Sequence, residues 1–266
     1  MPYEDSFIWN GLFILLSFLI ASYTYFKKSL TMSGAIVAFC VASFLYLSGG
    51  ALFFSGLMFF FFSSTLIGKL GKKTHQEINQ IHQKSGTRDV IQVLANSGVA
   101  VVMAIIFIWT REVRFQIAVM VSLAVSTADT WASEIGVLSK KTPISILGCR
   151  RVIKEKSGGV TGLGIAASFL GASSIAVIYG LFQLPSFEVG DVQFIIIIGF
   201  LGSILDSLLG DTMQAKYQDD WNHKLTEKPI SNGVQNRLVQ GFSWMTNDLV
   251  NLLSIAIATS LFVLLF

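Results

Sequence analysis

Ser126-Thr127-Ala128-Asp129-Thr130-Trp131-Ala132-Ser133-Glu134 closes one long apolar run of this chain, and Ser203-Ile204-Leu205-Asp206-Ser207-Leu208-Leu209-Gly210-Asp211 closes another. Both stretches fit S-x-x-D-[ST]-x-x-[SG]-[ED]. A carboxylate inside a membrane span costs roughly 2.5–3.5 kcal/mol on insertion scales, so an acid retained there points to a function. Two copies in matched settings strengthen that reading. Four carboxylates beside lipid suggest a bound divalent cation and an anionic ligand.

Such apolar runs recur along the whole chain. Of 266 residues, 53% are hydrophobic and only 13% are charged, against about 25% charged in soluble domains. The runs are continuous rather than alternating, which argues against a β-barrel. The expected fold is therefore all-α: one polytopic helical integral membrane domain over residues 1–266. About eight spans are read, at 7–26, 31–47, 51–66, 90–109, 115–137, 160–182, 192–210 and 242–266. The second and third are short and meet at Ser48-Gly49-Gly50, as two crossings or as a re-entrant hairpin; either way the chain returns to the side it left. Cys40 and Cys149 offer neither a disulfide framework nor metal-ligand spacing.

Positive charge orients the spans. Alternate loops carry 17 of the 19 basic residues, and the opposite side has only Arg111 and Arg114. The asymmetry puts the basic loops in the cytoplasm and both termini outside, in a multi-pass protein of the cell membrane. With that topology the polar residues collect toward the cytoplasmic ends of five spans: Asp89, Gln92 and Asn96; Asp129 and Glu134; Gly158, Gly159 and Thr161; Asp206 and Asp211; Asn247, Asp248 and Asn251. Asp89, Gln92 and Asn96 fall on one helical face, and Asn247 and Asn251 on another. The two acids of each repeat are five residues apart, roughly 140° around an ideal helix. They face one cavity only if the helix unwinds, and Gly136 and Gly210 suit such a break.

Mg²⁺ matches this vocabulary of Asp, Asn, Ser and Thr oxygens, usually through one or two carboxylates plus phosphate and water. The single histidines, His75, His82 and His223, sit in hydrophilic loops and read as solvated. Arg150, Arg151, Lys154 and Lys156 run into Gly158-Gly159-Val160-Thr161, a glycine-rich helix start that offers free N–H groups to phosphate. No Walker A sequence is present. Most of the basic residues also read as topology signals and lipid-surface anchors. Gly162, Gly164, Ala167, Ser168 and Gly171 read as a helix-packing face. Trp131 and Trp244 read as interfacial anchors and Phe59 to Phe62 as lipid-facing filler.

Six segments resemble a known family. They are Lys28-Ser29-Leu30-Thr31-Met32-Ser33-Gly34-Ala35, Arg88-Asp89-Val90-Ile91-Gln92-Val93-Leu94-Ala95-Asn96, Ala128-Asp129-Thr130-Trp131-Ala132-Ser133-Glu134-Ile135-Gly136, Gly158-Gly159-Val160-Thr161, Gly202-Ser203-Ile204-Leu205-Asp206-Ser207-Leu208-Leu209-Gly210 and Asn247-Asp248-Leu249-Val250-Asn251. In this order they resemble the membrane family of transmembrane protein 19 and plant phytyl-phosphate kinase, long catalogued as domain of unknown function 92. Asp211 departs from the small residue expected after Gly210. The resemblance implies a kinase that converts a prenyl monophosphate, such as phytyl or geranylgeranyl phosphate, to the diphosphate. The text around Asp129 also looks like that of CTP-dependent polyprenol kinases and membrane cytidylyltransferases, which implies a nucleoside triphosphate donor, CTP or ATP.

The expected partners are thus a prenyl phosphate lipid, a nucleoside triphosphate and the membrane, with no nucleic acid. Asp129, Glu134 and Asp206 are the expected catalytic residues, and with Asp211 the expected Mg²⁺ ligands. Arg88, Asp89, Asn96, Arg150, Lys154, Lys156, Gly158, Gly159, Thr161, Asn247, Asp248 and Asn251 are the expected substrate and phosphate contacts. A lipid transporter or flippase, and a cytidylyltransferase acting on a lipid phosphate, are the alternatives. Transport is the less favoured because such sites usually lie near the bilayer midplane, whereas these residues lie toward one face.

Overall fold

A computed structural model describes residues 3–70, 86–148, 151, 158–185, 188–219, 225–231 and 233–266. Its helices are α1 (Tyr3–Phe26), α2 (Met32–Leu70), α3 (Val90–Thr110), α4 (Val113–Gly136), α5 (Gly162–Phe182), α6 (Val189–Thr212) and α7 (Asn247–Leu265). All seven are long and apolar enough to cross a membrane. Their outward faces carry Phe7, Trp109, Leu181 and Leu264, each more than 60% exposed. An apolar surface of that extent belongs against lipid. The molecule is a polytopic helical membrane protein.

The second and third expected spans form the single element α2, broken at Gly50. Gly50 adopts φ 65° and ψ −152°, a backbone conformation essentially reserved for glycine. The chain doubles back there, because Val41 and Ala42 before the break line the same cavity as Leu57 and Phe60 after it. Phe13 of α1 fixes the hairpin near its tip. It stacks on Tyr46 at 4.1 Å and meets Phe54 edge-on at 5.2 Å. The expected filler run is only partly lipid-facing. Phe62 is exposed but Phe60 is buried, and Phe59 packs beside Trp131. Trp131 donates to Ser63 Oγ at 3.1 Å, so it ties α4 to α2 rather than acting only at the interface.

At the centre stands α4, buried from Ile117 to Ala128. Its neighbours are α2, α3, α5, α6 and α7. Small residues let them approach. A Cβ on Gly171 of α5 would lie 3.0 Å from the Ala128 Cα, and one on Gly202 of α6 would lie 2.6 Å from Val125. Without a hydrophobic drive between helices in lipid, such backbone proximity is the main source of packing energy. Gly164, Ala167, Ser168 and Gly171 are buried on α5, as a packing face requires; Gly162 is exposed and has nothing within 4 Å of where a Cβ would be.

Short strands depart from the purely helical expectation. β1 (Ile144–Ser145) and β2 (Gly159–Val160) pair antiparallel. β3 (Lys216–Gln218) lies between β4 (Leu225–Thr226) and β7 (Arg237–Gln240), and β5 (Ile230–Ser231) pairs with β6 (Val234–Gln235). These strands occupy the α4–α5 and α6–α7 connections. They also shorten two expected spans. Val160 belongs to β2, with Thr161 capping α5, and α7 begins at Asn247 rather than residue 242, after a turn at Ser243 and Trp244.

Candidate functional site

Asp129 lies 7 residues from the end of α4 and Asp206 lies 6 from the end of α6, each about two turns in. Because both helices pack together, the two carboxyl groups come within hydrogen-bonding reach of each other. α7 supplies the support. Ser254 Oγ donates to Asp206 Oδ2 at 2.9 Å. The Asn251 amide, oriented with its nitrogen toward the acid, donates to the same oxygen at 3.1 Å and to the Asn247 carbonyl at 3.1 Å. Asn251 and Ser254 are three apart and share a helical face. Two facing carboxyl groups in an apolar bundle repel unless a shared proton or a cation lies between them. Carboxylate oxygens are ligands of the kind that Mg²⁺ accepts together with phosphate and water, and here Ser254 and Asn251 hold one of the two in place by donating to it.

The other two expected ligands go elsewhere. α4 and α6 run unbroken through Glu134 and Asp211, so Gly136 and Gly210 do not unwind them there. The five-residue spacing then turns the second acid of each repeat away from the first. Among the described residues no three Asp, Glu, His or Cys side chains converge as a metal site. The four-carboxylate cluster expected from sequence is therefore not assembled there.

Glu134 lies against α2, its carboxylate 3.4 Å from where a Cβ on Gly68 would be. It acts electrostatically on Arg88. Burial pushes the Arg88 guanidinium down from its ordinary value, and the negative charge of Glu134 opposes that fall. Asp211 has different company. Ser145 Oγ donates to its Oδ2, and Lys216 Nζ stands 4.0 Å from Oδ1. Ser145, Asp211 and Lys216 are all buried, so the group joins β1 and β3 to the end of α6.

The expected phosphate loop is a packing element where it is described. Gly158 has φ +84°, and a Cβ there would fall 2.4 Å from the Asp211 amide nitrogen. Gly159 pairs with Ser145. Thr161 caps α5, accepting from Gly164 N at 3.0 Å and donating to the Gly136 carbonyl at 3.3 Å. Arg150, Lys154, Lys156 and the three histidines lie outside the described residues. Asp89 is the N-cap of α3 in a capping box with Gln92. Asn96 donates to the Gln92 carbonyl, and its own carbonyl accepts from Ser126 Oγ at 2.7 Å. Asp248 is buried in the first turn of α7, and Asn247 is exposed beside it.

Ser254, Ser145 and Lys216 were not singled out from sequence. Ser254 could have been, since it extends the stripe Asn247–Asn251 by one helical step. Ser145 and Lys216 carry no such signal, because their partner Asp211 is brought to them by strand pairing.

Three related proteins give this arrangement a setting. The chain is 30% identical to Protein PGR of Arabidopsis thaliana over 93% of both chains. It is 31% identical to an uncharacterized membrane protein of Methanocaldococcus jannaschii, over 60% of this chain and 64% of that one. It is 26% identical to an uncharacterized membrane protein of Synechocystis sp., over 80% and 83% respectively. No solved structure matches it. A family model spans residues 15–259, from α1 to α7 and including both Asp129 and Asp206, and by that match the chain belongs to the family described as Integral membrane protein DUF92.

Proposed function

We propose that this membrane protein is a Mg²⁺-dependent prenyl-phosphate kinase. It transfers the terminal phosphoryl group of CTP or ATP to a membrane-held prenyl monophosphate of phytyl or geranylgeranyl type. The observation that carries this reading is the meeting of Asp129 and Asp206 from two helices, with Asp206 fixed by Ser254 and Asn251.

In the transfer, an oxygen of the prenyl monophosphate forms a bond to the terminal phosphorus of the donor. The bridging P–O bond breaks, and the nucleoside diphosphate leaves with its electron pair. The acceptor is already anionic at neutral pH, so a strong base is unnecessary. Mg²⁺, when bound, supplies charge neutralisation on the phosphate oxygens. Asp129 and Asp206 would hold it, while Ser254 and Asn251 keep the Asp206 carboxylate in one rotamer. Arg88 offers a planar guanidinium to the acceptor phosphate. Arg150, Lys154 and Lys156 offer positive charge to the donor. The nucleotide supply and the basic loops favour a site on the cytoplasmic side of the cell membrane.

Purified protein given Mg²⁺, CTP or ATP, and geranylgeranyl monophosphate should yield the diphosphate and a nucleoside diphosphate. Pyrophosphate release would instead identify cytidylyl transfer, and substrate counterflow in proteoliposomes without nucleotide would identify a transporter. Asp129→Asn should lower turnover by about 10²-fold or more while the protein still inserts in membranes. Full activity in that variant would reject the acid pair as the reaction centre.

A further inference from the structure

The connection between α6 and α7 exposes a cluster of large apolar side chains. Ile230, Val234 and Trp244 are each more than half exposed, and Leu238, Val239 and Phe242 are at least two-fifths exposed. β5 and β6 make their principal contacts with each other. Asn236, itself buried, locks the foot of this ribbon. Its Nδ2 donates to the Lys228 carbonyl and to Ser231 Oγ, each at 2.8 Å, and its N–H donates to the Pro229 carbonyl at 2.8 Å. The ribbon is therefore held in shape by its own bonds.

Ile230 pairs with Gln235, and Val234 with Ser231. Paired residues share a face and neighbours alternate, so the ribbon carries an apolar side chain on each of its two faces. A folded partner covers one face of so short a hairpin, whereas a fluid surrounds both. β7 is an edge strand, since the sheet runs β4–β3–β7, and it exposes both Leu238 and Val239. An apolar edge of this kind invites aggregation if left in water.

What covers this patch follows from its position and its charge. Phe242 N donates at 3.1 Å to the carbonyl of Met213, the C-cap of α6. Met245, two residues before α7, accepts from Ala215 N at 2.9 Å. Phe242 stacks on Trp244 with 5.6 Å between ring centres. The aromatic pair therefore lies where α6 and α7 leave the bilayer, the level at which tryptophan collects, and it makes the patch continuous with the lipid-facing exterior. From Lys228 to Thr246 the chain holds Lys228 and Arg237 and no Asp or Glu, and Arg237 is exposed.

We propose that the β5–β6 ribbon, β7 and the Phe242–Trp244 pair form a shallow anchor in the bilayer surface beside α6 and α7, with the apolar side chains below the headgroups and Lys228 and Arg237 at the phosphates of anionic lipids. Binding of this kind gains from both buried apolar area and anionic charge. Its depth is limited, because the unpaired backbone groups of β7 must stay hydrated. The anchor fixes to the membrane the connection that joins Asp206 on α6 to its supports, Asn251 and Ser254, on α7. It does not depend on the reaction proposed for those residues.

The test uses the full-length protein without Cys40 and Cys149, carrying a nitroxide at Val234→Cys or Ile230→Cys, both exposed positions. It is reconstituted in vesicles of phosphatidylcholine alone or mixed with phosphatidylglycerol. Collision with oxygen, which enters lipid, is compared with collision with a neutral nickel chelate, which stays in water. The ratio should lie between that of free nitroxide in buffer and that of Ile197→Cys, an exposed position well inside α6. It should shift toward the Ile197→Cys value when phosphatidylglycerol is added. High salt should reduce that shift, and so should Arg237→Gln. A ratio equal to that of free nitroxide in both lipids would overturn the anchor. Weak collision with both reagents would also overturn it, by showing that a protein surface, such as a second copy of this chain, covers the ribbon. Equal ratios in the two lipids would overturn the assignment of Lys228 and Arg237 to anionic headgroups.

Discussion

Asp206 accepts from Ser254 and Asn251 on a single oxygen, Oδ2. A hydrogen bond to a charged group contributes about 1.5–3 kcal/mol. Ser254→Ala should therefore lower turnover by roughly 10- to 100-fold. Replacement by Thr, which keeps the hydroxyl, should restore part of it. Steady-state rates of the two variants at saturating Mg²⁺ check this. Asp211 has another role at the same scale. Its buried neighbours are Ser145 and Lys216. Removing one partner of a buried pair leaves an uncompensated charge and costs about 3–5 kcal/mol. Lys216→Met should lower the thermal midpoint in detergent, and Asp211→Asn added to it should recover much of the loss. An unchanged midpoint in Lys216→Met would show the pair to be unimportant for stability.

The elements explain how the acids come to face each other. α4 and α6 approach closely because Gly202 sits on Val125, and a side chain at Gly202 would collide there. Overpacking of this kind costs about 1–3 kcal/mol. Gly202→Leu should accordingly separate the helices four residues before Asp206, reducing both stability and turnover. Gly50→Ala tests the α2 hairpin. Its backbone conformation is strained for any L-residue by about 1–3 kcal/mol, so the variant should unfold at lower temperature while Asp129 and Asp206 keep their geometry. Thermal melts and activity measured on the same preparations distinguish the two cases: activity per folded molecule falls in the first and persists in the second.

For the whole molecule the apolar exterior and the charge distribution make one combined prediction. The end of the molecule with Arg111 in the α3–α4 connection and Arg114 in the first turn of α4 should face away from the cytoplasm, and the connection containing Lys140 and Lys141 should face it. Single cysteines at Glu112 and Lys140, each in a background lacking Cys40 and Cys149, report this through labelling of intact cells by a membrane-impermeant thiol reagent. Modification of the position-112 cysteine alone is expected, and the reverse pattern would invert the proposed orientation of the site.

Much of this architecture was legible in the chain itself. Long apolar runs can only be helices in lipid, since every backbone polar group must be satisfied within its own segment. The depth of Asp129, Asp206, Asn96 and Asn251 also followed, because position along a helix is counted directly in residues. Which acids meet did not follow. A helix turns about 100° per residue, so a five-residue pair shares a face only if the helix breaks, and whether Gly136 or Gly210 breaks it depends on packing. The tertiary structure kept both helices intact, joined Asp129 to Asp206, and sent Glu134 toward α2 and Asp211 to Ser145 and Lys216. It also folded α2 back at Gly50 to make a cavity from residues distant in the chain. Sequence sets hydrophobicity and depth, which are one-dimensional; facing and enclosure arise only when helices pack, because they depend on the angles between elements.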